Sequence, residues 1–535
     1  MKHPAPFIFW VALALLPWPA TSLAAAAQNS DAWISAPHPD ASAWQSIRAT
    51  AKEFCDRETP PDALPFDERA APISNLAARK VFIDYFPPYP LSFTNRLAQN
   101  DIYSTDYLRR DGERGEFFNA GGFIRDRPLP AGPWASPYWM QINYAIEILR
   151  AQRMGAAGFV FDVVDVGAGR GAAQLSLMLD TAAHVAPQFR IVPELDTNIL
   201  RSASVVEFES VLEYVWSQPA AFHLPDGRLL VTPFAPELLP TAFWQRLLDD
   251  MRAKKKPVAF MPVLLDVQKF AQSFAPMSYG QSTWGDRDVQ SPDVLVGLRG
   301  TGKLPPDGVW MAPVAPQDAR PNQSILWEAR NTQNYRKGWM DAIHDGSRYV
   351  HVITWNDYSE STHIEPSVFT QFVFYDLGAF YTRWFVSGRM PRITQEAIYY
   401  TYRREIFQPD RLPLATDTPL KSLGSTPIEN EIEMVAFLPE PAVLQIEIDG
   451  VTSEKSAAAG LAELRVPARP GKPTFRILRG NTLIEEVVGQ WRIVAQLRAL
   501  NPLYAGGSSN RPIVAMPRED TSPREVIRGH NHLTF

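Results

Sequence analysis

The sequence predicts an α/β protein: a (β/α)8 TIM barrel followed by a smaller all-β, sandwich-like domain. Three observations predict it. Eight short β-prone runs alternate with segments of helical periodicity, several of those runs end in carboxylates, and past about Asp410 the texture changes to short alternating runs divided by turns.

The eight runs are "KVFIDYF" at 80–86, "GFVFDVV" at 158–164, "FRIVPEL" at 189–195, "RLLVTPF" at 228–234, "PVAFMPVL" at 257–264, "MSYGQSTW" at 277–284, "GVWMAPV" at 308–314 and "YVHVITW" at 349–355. Between them, segments such as "SPYWMQINYAIEILRAQRMG" and "PTAFWQRLLDDMRAKKK" carry apolar residues at helical spacing. Strand and helix in alternation imply parallel βα units, and eight units imply a barrel. The later runs, among them "EIEMVAFL", "AVLQIEID" and "TFRILRG", are separated by "DG", "PGK" and "RGN". That spacing is all-β. The expected division is a signal peptide at 1–27, a lead-in at 28–78, the barrel at 79–408, a β-sandwich domain at 409–504 and a loosely ordered tail at 505–535.

Bulk properties exclude several classes. A net charge of −6 gives no basic footprint for nucleic acid. The single cysteine, Cys55, rules out an intramolecular disulfide and a cysteine-based metal site. No metal cluster shows in the residue spacing, and no cofactor is expected. Met1-Lys2-His3, the apolar run at 7–16 and Ser22-Leu23-Ala24 have the order of a secretory signal, so the mature protein is expected to be periplasmic or secreted. No later segment has the ~20 apolar residues of a membrane span. The sequence leaves the oligomeric state open.

Active sites of such barrels lie at the C-terminal ends of the strands. Carboxylates recur there: Asp84, Asp162, Asp165, Glu194 and Asp196, with Asp266 and Asp286 after later strands. The densest cluster is "VITWNDYSESTHIEP" at 352–366. Asp357 and Glu360 within it fit an Asx turn or a capping box, or they are working carboxylates. Position at the end of the eighth strand favours the second reading. Trp284 and Trp355 also end strands and suit the C–H face of a sugar, which leaves a polysaccharide or oligosaccharide as the expected partner. A rival motif, "VVDVGAGRGAAQLSLML" at 163–179, is similar to the first motif of S-adenosylmethionine-dependent methyltransferases. The export signal and the strands upstream argue against it, and the glycines read as a loop over the barrel mouth.

"ITWNDYSESTHIEP" resembles the Trp-Asn-Asp-Tyr-x-Glu-Ser segment of family 71 glycoside hydrolases, the α-1,3-glucanases or mutanases. "KVFIDYF", "GAAGFVFDVV", "GRLLVTPF" and "VWMAPVAPQ" resemble further blocks of that family in the same order. The resemblance implies a (β/α)8 barrel with a β-rich region, inversion at the anomeric carbon, catalysis by Asp357 and Glu360, and a further acid at Asp162 or Asp165. The chain departs from the family pattern at Asp162, at Phe234-Ala235-Pro236 and at "QSTWGDR". These departures bear on the glucan linkage more than on the chemistry.

The expected function is therefore a secreted glycoside hydrolase that cleaves an α-linked glucan, α-1,3-glucan by resemblance, with inversion. Glu360 is read as general acid and Asp357 as general base. Asp84 and Asp162 or Asp165 would hold sugar hydroxyls, Asn356 would bond a hydroxyl beside the cleaved bond, and Tyr358 and His363 would orient the acids. The alternatives are an endo-α-mannosidase-like glycosidase, whose Trp-Asn-x-x-x-Glu segment is similar, and a glycan-binding barrel without turnover.

Overall fold

The computed structural model describes residues 34–58, 63–67, 79–285, 287–291, 293–300 and 308–514. The expected signal segment and Asp286 lie outside them.

The core is a curled, open, seven-stranded parallel sheet. In chain order the strands of the first half are β1 (Lys80–Tyr85), β2 (Gly158–Val163), β3 (Arg190–Leu195), β4 (Leu229–Val231), β5 (Val258–Phe260), β6 (Val263–Leu264), β7 (Gly280–Thr283), β8 (Val309–Val314), β9 (Asp318–Arg320), β10 (Ile325–Trp327) and β11 (Tyr349–Val352). The sheet runs β3-β2-β1-β11-β8-β7-β6. The expected closed eight-stranded barrel is not what forms, because β4 and β5 pair only with each other. Prolines lie at the break, although Pro193 of β3 and Pro313 of β8 are kept within the ladder. The fourth run contains Pro233, and the fifth is split by Pro262; neither has an N–H for a ladder. Single bonds replace the ladder: Thr232 N donates to Pro193 O at 3.1 Å, Phe234 N to Leu195 O at 3.0 Å, and Val263 N to Pro233 O at 2.9 Å.

Strand alternation sorts the side chains onto two faces. Val81, Ile83, Phe159, Phe161, Ile191, Val350 and Val352 pack outward against helices. Phe82, Val160, Val192, Met311 and Tyr349 fill the inner face with Leu230 and Met261. Two residues further along the same strands, on that inner face, come Asp84, Asp162, Glu194 and His351. The sheet interior is thus apolar below and acidic above.

The helices around the sheet are α1 (Ala41–Glu58), α2 (Trp139–Met154), α3 (Arg170–Val185), α4 (Val205–Trp216), α5 (Thr241–Ala253), α6 (Val267–Phe274), α7 (Val294–Gly300), α8 (Gln333–His344) and α9 (Val373–Ser387). Helix α1 belongs to the expected lead-in. It buries Ile47, Ala51 and Cys55 against Ile142 and Ala145 of α2.

The remaining strands are β12 (Ala397–Arg403), β13 (Lys421–Leu423), β14 (Glu431–Leu438), β15 (Ala442–Ile448), β16 (Val451–Ala457), β17 (Gly460–Pro467), β18 (Pro473–Arg479), β19 (Thr482–Val488) and β20 (Tyr504–Ser508). Two four-stranded antiparallel sheets, β17-β14-β12-β20 and β16-β15-β18-β19, enclose a core of Ile398, Met434, Leu444, Ile446, Phe475 and Ile477. The first sheet has a second duty. Its outward residues Tyr399, Val435 and Phe437 join the large core, where Phe437 meets Phe380 of α9 edge-on at 5.2 Å. A small sheet, β13-β10-β9, ties the β-rich region to the loop after β8. The chain past Ala505, expected to be loosely ordered, is built in at least to Arg511, which pairs with buried Asp376 at 2.6 Å.

Candidate active site

The acidic layer and the turn after β11 meet at the C-terminal end of the sheet. Asp162, at the end of β2, is the hub. Burial pushes its carboxyl far above the usual range, and repulsion from Asp196, Asp84, Glu194 and Asp357 pushes it further. Those four carboxylates therefore share one electrostatic environment with it. Asp196 is raised to about 7 by burial, although Asn198 and Ile199 donate backbone N–H groups to it at 2.8 and 3.1 Å.

Asp357 makes the turn it sits on. Its Oδ1 accepts from Ser359 N at 2.8 Å, Ser359 Oγ at 2.6 Å and Glu360 N at 3.0 Å. That is an Asx turn, yet no helix follows, so the capping reading does not extend to Glu360. Glu360 reaches instead across to β9. Its Oε1 lies 2.7 Å from Arg320 Nη1, while its Oε2 is buried and makes no hydrogen bond within the described structure. Arg320 is held by a fork to Asp318, with bonds of 2.8 and 2.7 Å, and Arg287 approaches the same carboxylate at 3.2 Å. Backbone bonds lock the two segments together: Ala319 N donates to Glu360 O at 2.9 Å and Ser361 Oγ to Ala319 O at 2.7 Å.

The two carboxyls differ in charge preference. Burial raises Asp357 to about 6, moderated by the N–H and O–H groups of its turn. Burial raises Glu360 to about 8; Arg320 opposes this, and repulsion from Asp357 and Asp318 reinforces it. Of the two, Glu360 is held further toward its protonated form.

The other expected site residues divide. Trp284, half-buried at the end of β7, stands edge-on to Phe234 at 4.6 Å and near His351 at 6.0 Å, beside the acids. Asp84 belongs to the acidic layer. Asp165 does not: its Oδ1 accepts from Gly167 N at 2.8 Å, and it packs so closely on the turn that a Cβ at Gly169 would meet Oδ2 at 2.2 Å. The glycine run serves that contact and the start of α3.

Trp355 is fully buried in the core, 5.5 Å from Phe159. Asn356 has its amide committed to the loop after β1, donating to Phe86 O at 3.0 Å and Tyr89 O at 2.7 Å and accepting from Phe86 N at 2.8 Å. Tyr358 donates to Glu365 at 3.2 Å and stacks on His363 at 4.2 Å. His363 Nε2 lies 3.0 Å from Asp126, so neither ring orients Asp357 or Glu360.

Sequence reasoning missed Arg320, Asp318 and His351 as site residues. His351 was findable, since it shares the inner face with Tyr349 in "YVHV". Arg320 left no local signal. The structure also brings Asp84, Glu194 and His351 together, with ligand atoms within 4.8 Å of one another, a donor set that three separate strands hide from any spacing pattern.

Carboxylates gathered at the strand ends of an α/β sheet suit glycoside hydrolysis, which needs a proton donor and a second carboxylate. The family model of glycosyl hydrolase family 71 matches residues 135–501, and the chain belongs to that family. Among curated relatives, the glucan endo-1,3-alpha-glucosidase agn1 of Schizosaccharomyces pombe is 23% identical over 380 residues, covering 65% of this chain and 86% of the relative. An ascus wall endo-1,3-alpha-glucanase of the same yeast is 26% identical over 186 residues, covering 29% and 42%. Among solved structures, a GH99 endo-alpha-mannosidase from Bacteroides thetaiotaomicron overlays at a TM-score of 0.42 and 14% identity, covering 58% of this chain and 97% of that one. No described helix is long and apolar enough to cross a membrane.

Proposed function

We propose that this glycoside hydrolase cleaves an α-linked glucan, α-1,3-glucan in the first instance, with inversion at the anomeric carbon. Glu360 delivers the proton to the leaving oxygen, and Asp357 activates the attacking water. The observation that carries the reading is two carboxyls on one turn in different settings: Asp357 accepts from the N–H and O–H groups of its turn, whereas Glu360 faces Arg320 and keeps one oxygen unbonded, and burial raises both, Glu360 the further. The choice of glucan rests on the names of the two yeast relatives. Asp162 and Trp284 are the proposed sugar contacts. The β4–β5 pair, bonded singly to β3 and β6, would close the sheet into a ring around them. Residues 1–27 are proposed to direct export.

Proton NMR of the first product from α-1,3-glucan tests the reading. An initial β-anomer signal is the expected result. An initial α-anomer means a carboxylate nucleophile instead of an activated water. Products from α-mannan but not from α-1,3-glucan transfer the chain to the mannosidase-like alternative, and glycan binding without products on either transfers it to the non-catalytic one.

A further inference from the structure

Below the catalytic turn, three inner-face side chains are sealed from solvent. Asp84 and Glu194 are each 1% exposed and His351 is 0% exposed, against 6% for Asp162 and 4% for Asp357. A sugar needs an open surface, which these three do not offer. They are nevertheless poorly satisfied. Asp84 Oδ2, Glu194 Oε2 and both ring nitrogens of His351 make no hydrogen bond within the described structure, and His351 Nε2 faces Asp84 Oδ2 across 3.7 Å, too far for one. Buried polar atoms are normally paired, so one carboxylate oxygen each of Asp84 and Glu194 and one ring nitrogen of His351, gathered within 4.8 Å of one another, mark the place of a small missing partner.

The spacing identifies that partner. Bonds of about 2.0–2.2 Å to a shared ion set neighbouring ligand atoms roughly 3–4 Å apart, which brackets the His351–Asp84 separation. All three ligand atoms lie within 4.8 Å of one another. Charge agrees: a dication with two carboxylates and a neutral imidazole sums to zero, whereas two bare carboxylates in this setting repel each other and Asp196, with His351 acting on Asp84. One imidazole nitrogen with two carboxylate oxygens suits zinc or manganese better than calcium or magnesium, which favour oxygen alone.

We propose that Asp84, Glu194 and His351 bind a divalent transition-metal ion of the zinc or manganese class, which cross-links β1, β3 and β11 beneath the active site. The cross-link has a direct path to the catalytic turn. Trp355 N donates to Asp84 O at 2.6 Å, two residues before Asp357. An ion at Asp84 therefore fixes the point from which the turn departs, and also pins β3, the edge of the seven-stranded ladder.

The test uses the tag-free full chain, stripped with a chelator and then dialysed against zinc, manganese or cobalt chloride. The expected result is a single ion per chain by elemental analysis and a melting temperature raised by several degrees. Bound cobalt should show the visible absorption of a low-coordinate nitrogen and oxygen sphere. His351→Gln and Asp84→Asn should abolish uptake. Substoichiometric uptake with an unchanged melting temperature would overturn the proposal, as would uptake undiminished in a folded His351→Gln protein. Should both variants fail to fold, the wild-type stoichiometry and cobalt spectrum decide: an octahedral, water-like spectrum counts against it. None of these readouts depends on the substrate or on turnover.

Discussion

Asp357 and Glu360 sit on the same turn as Tyr358, His363 and Glu365, but the two sets face different surroundings. The first set meets the acidic layer and Arg320. The second turns into an aromatic and ionic network in which Tyr358 meets Glu365, Arg150 approaches Glu365 at 3.1 Å, and His363 meets Asp126. Glu360 is half-buried, but Asp357 is buried as deeply as the rest of the segment, so burial alone does not separate function from scaffold. Satisfaction separates only some of them: Glu360 keeps an unbonded carboxylate oxygen and the amide of Asn356 is fully engaged, but His363 Nδ1 on the second face also lacks a hydrogen bond within the described structure. The motif that points to the site is mostly the frame of the site.

The comparison is broken most sharply by removing each face in turn. Asp357→Asn and Glu360→Gln should lower kcat by ~10²–10⁴-fold with unchanged thermal unfolding, the usual cost of losing a general acid or base. Near-normal turnover on a substrate the parent cleaves would remove both from the mechanism.

Arg320→Met should lower kcat by about 10–100-fold, the equivalent of one charge-assisted hydrogen bond. Its pH profile is the sharper readout. The proposed roles require Glu360 protonated and Asp357 ionised, so on that proposal the parent should be active between about 6 and about 8. Arg320 holds the Glu360 carboxyl down; without it that carboxyl rises, and the alkaline limb should move to higher pH. An alkaline limb that stays in place would show that Glu360 is not the acid.

On the rear face, Asn356→Ala strips partners from Phe86 N, Phe86 O and Tyr89 O. It should cost about 1–3 kcal/mol in denaturant unfolding, from the loss of three buried hydrogen bonds. A change in kcat without loss of stability would return Asn356 to the sugar site. The smallest effect belongs to Asp165→Ala, which disturbs only its turn. Its kcat should stay within about twofold of the parent, while Asp162→Asn should raise KM; the reverse pattern would exchange their roles.

Much of this was written in the chain. The alternation of "KVFIDY", "GFVFDV" and "RIVPEL" set both the strands and the face their carboxylates occupy, since a two-residue period leaves no other choice. The family segment located Asp357 and Glu360. Other features depended on partners distant in sequence. Prolines at 233 and 262 were visible, but their effect on the ladder depends on which strand lies alongside. Asp162 and Asp165 are indistinguishable as letters; one ends a strand facing four carboxylates, and the other folds back on its own glycine turn.

By itself, the sequence determined the strand series, the acidic inner face and the position of the proposed pair Asp357 and Glu360, because those follow from local periodicity and a contiguous motif. Only the tertiary structure decided that Arg320 holds Glu360, that Asn356, Tyr358 and His363 serve the frame, and that Asp84, Glu194 and His351 converge. Each of those facts joins residues from separate strands or loops. Their meeting is set by how the whole sheet curls and by which buried polar atoms find partners, and neither is a property of any one stretch of chain.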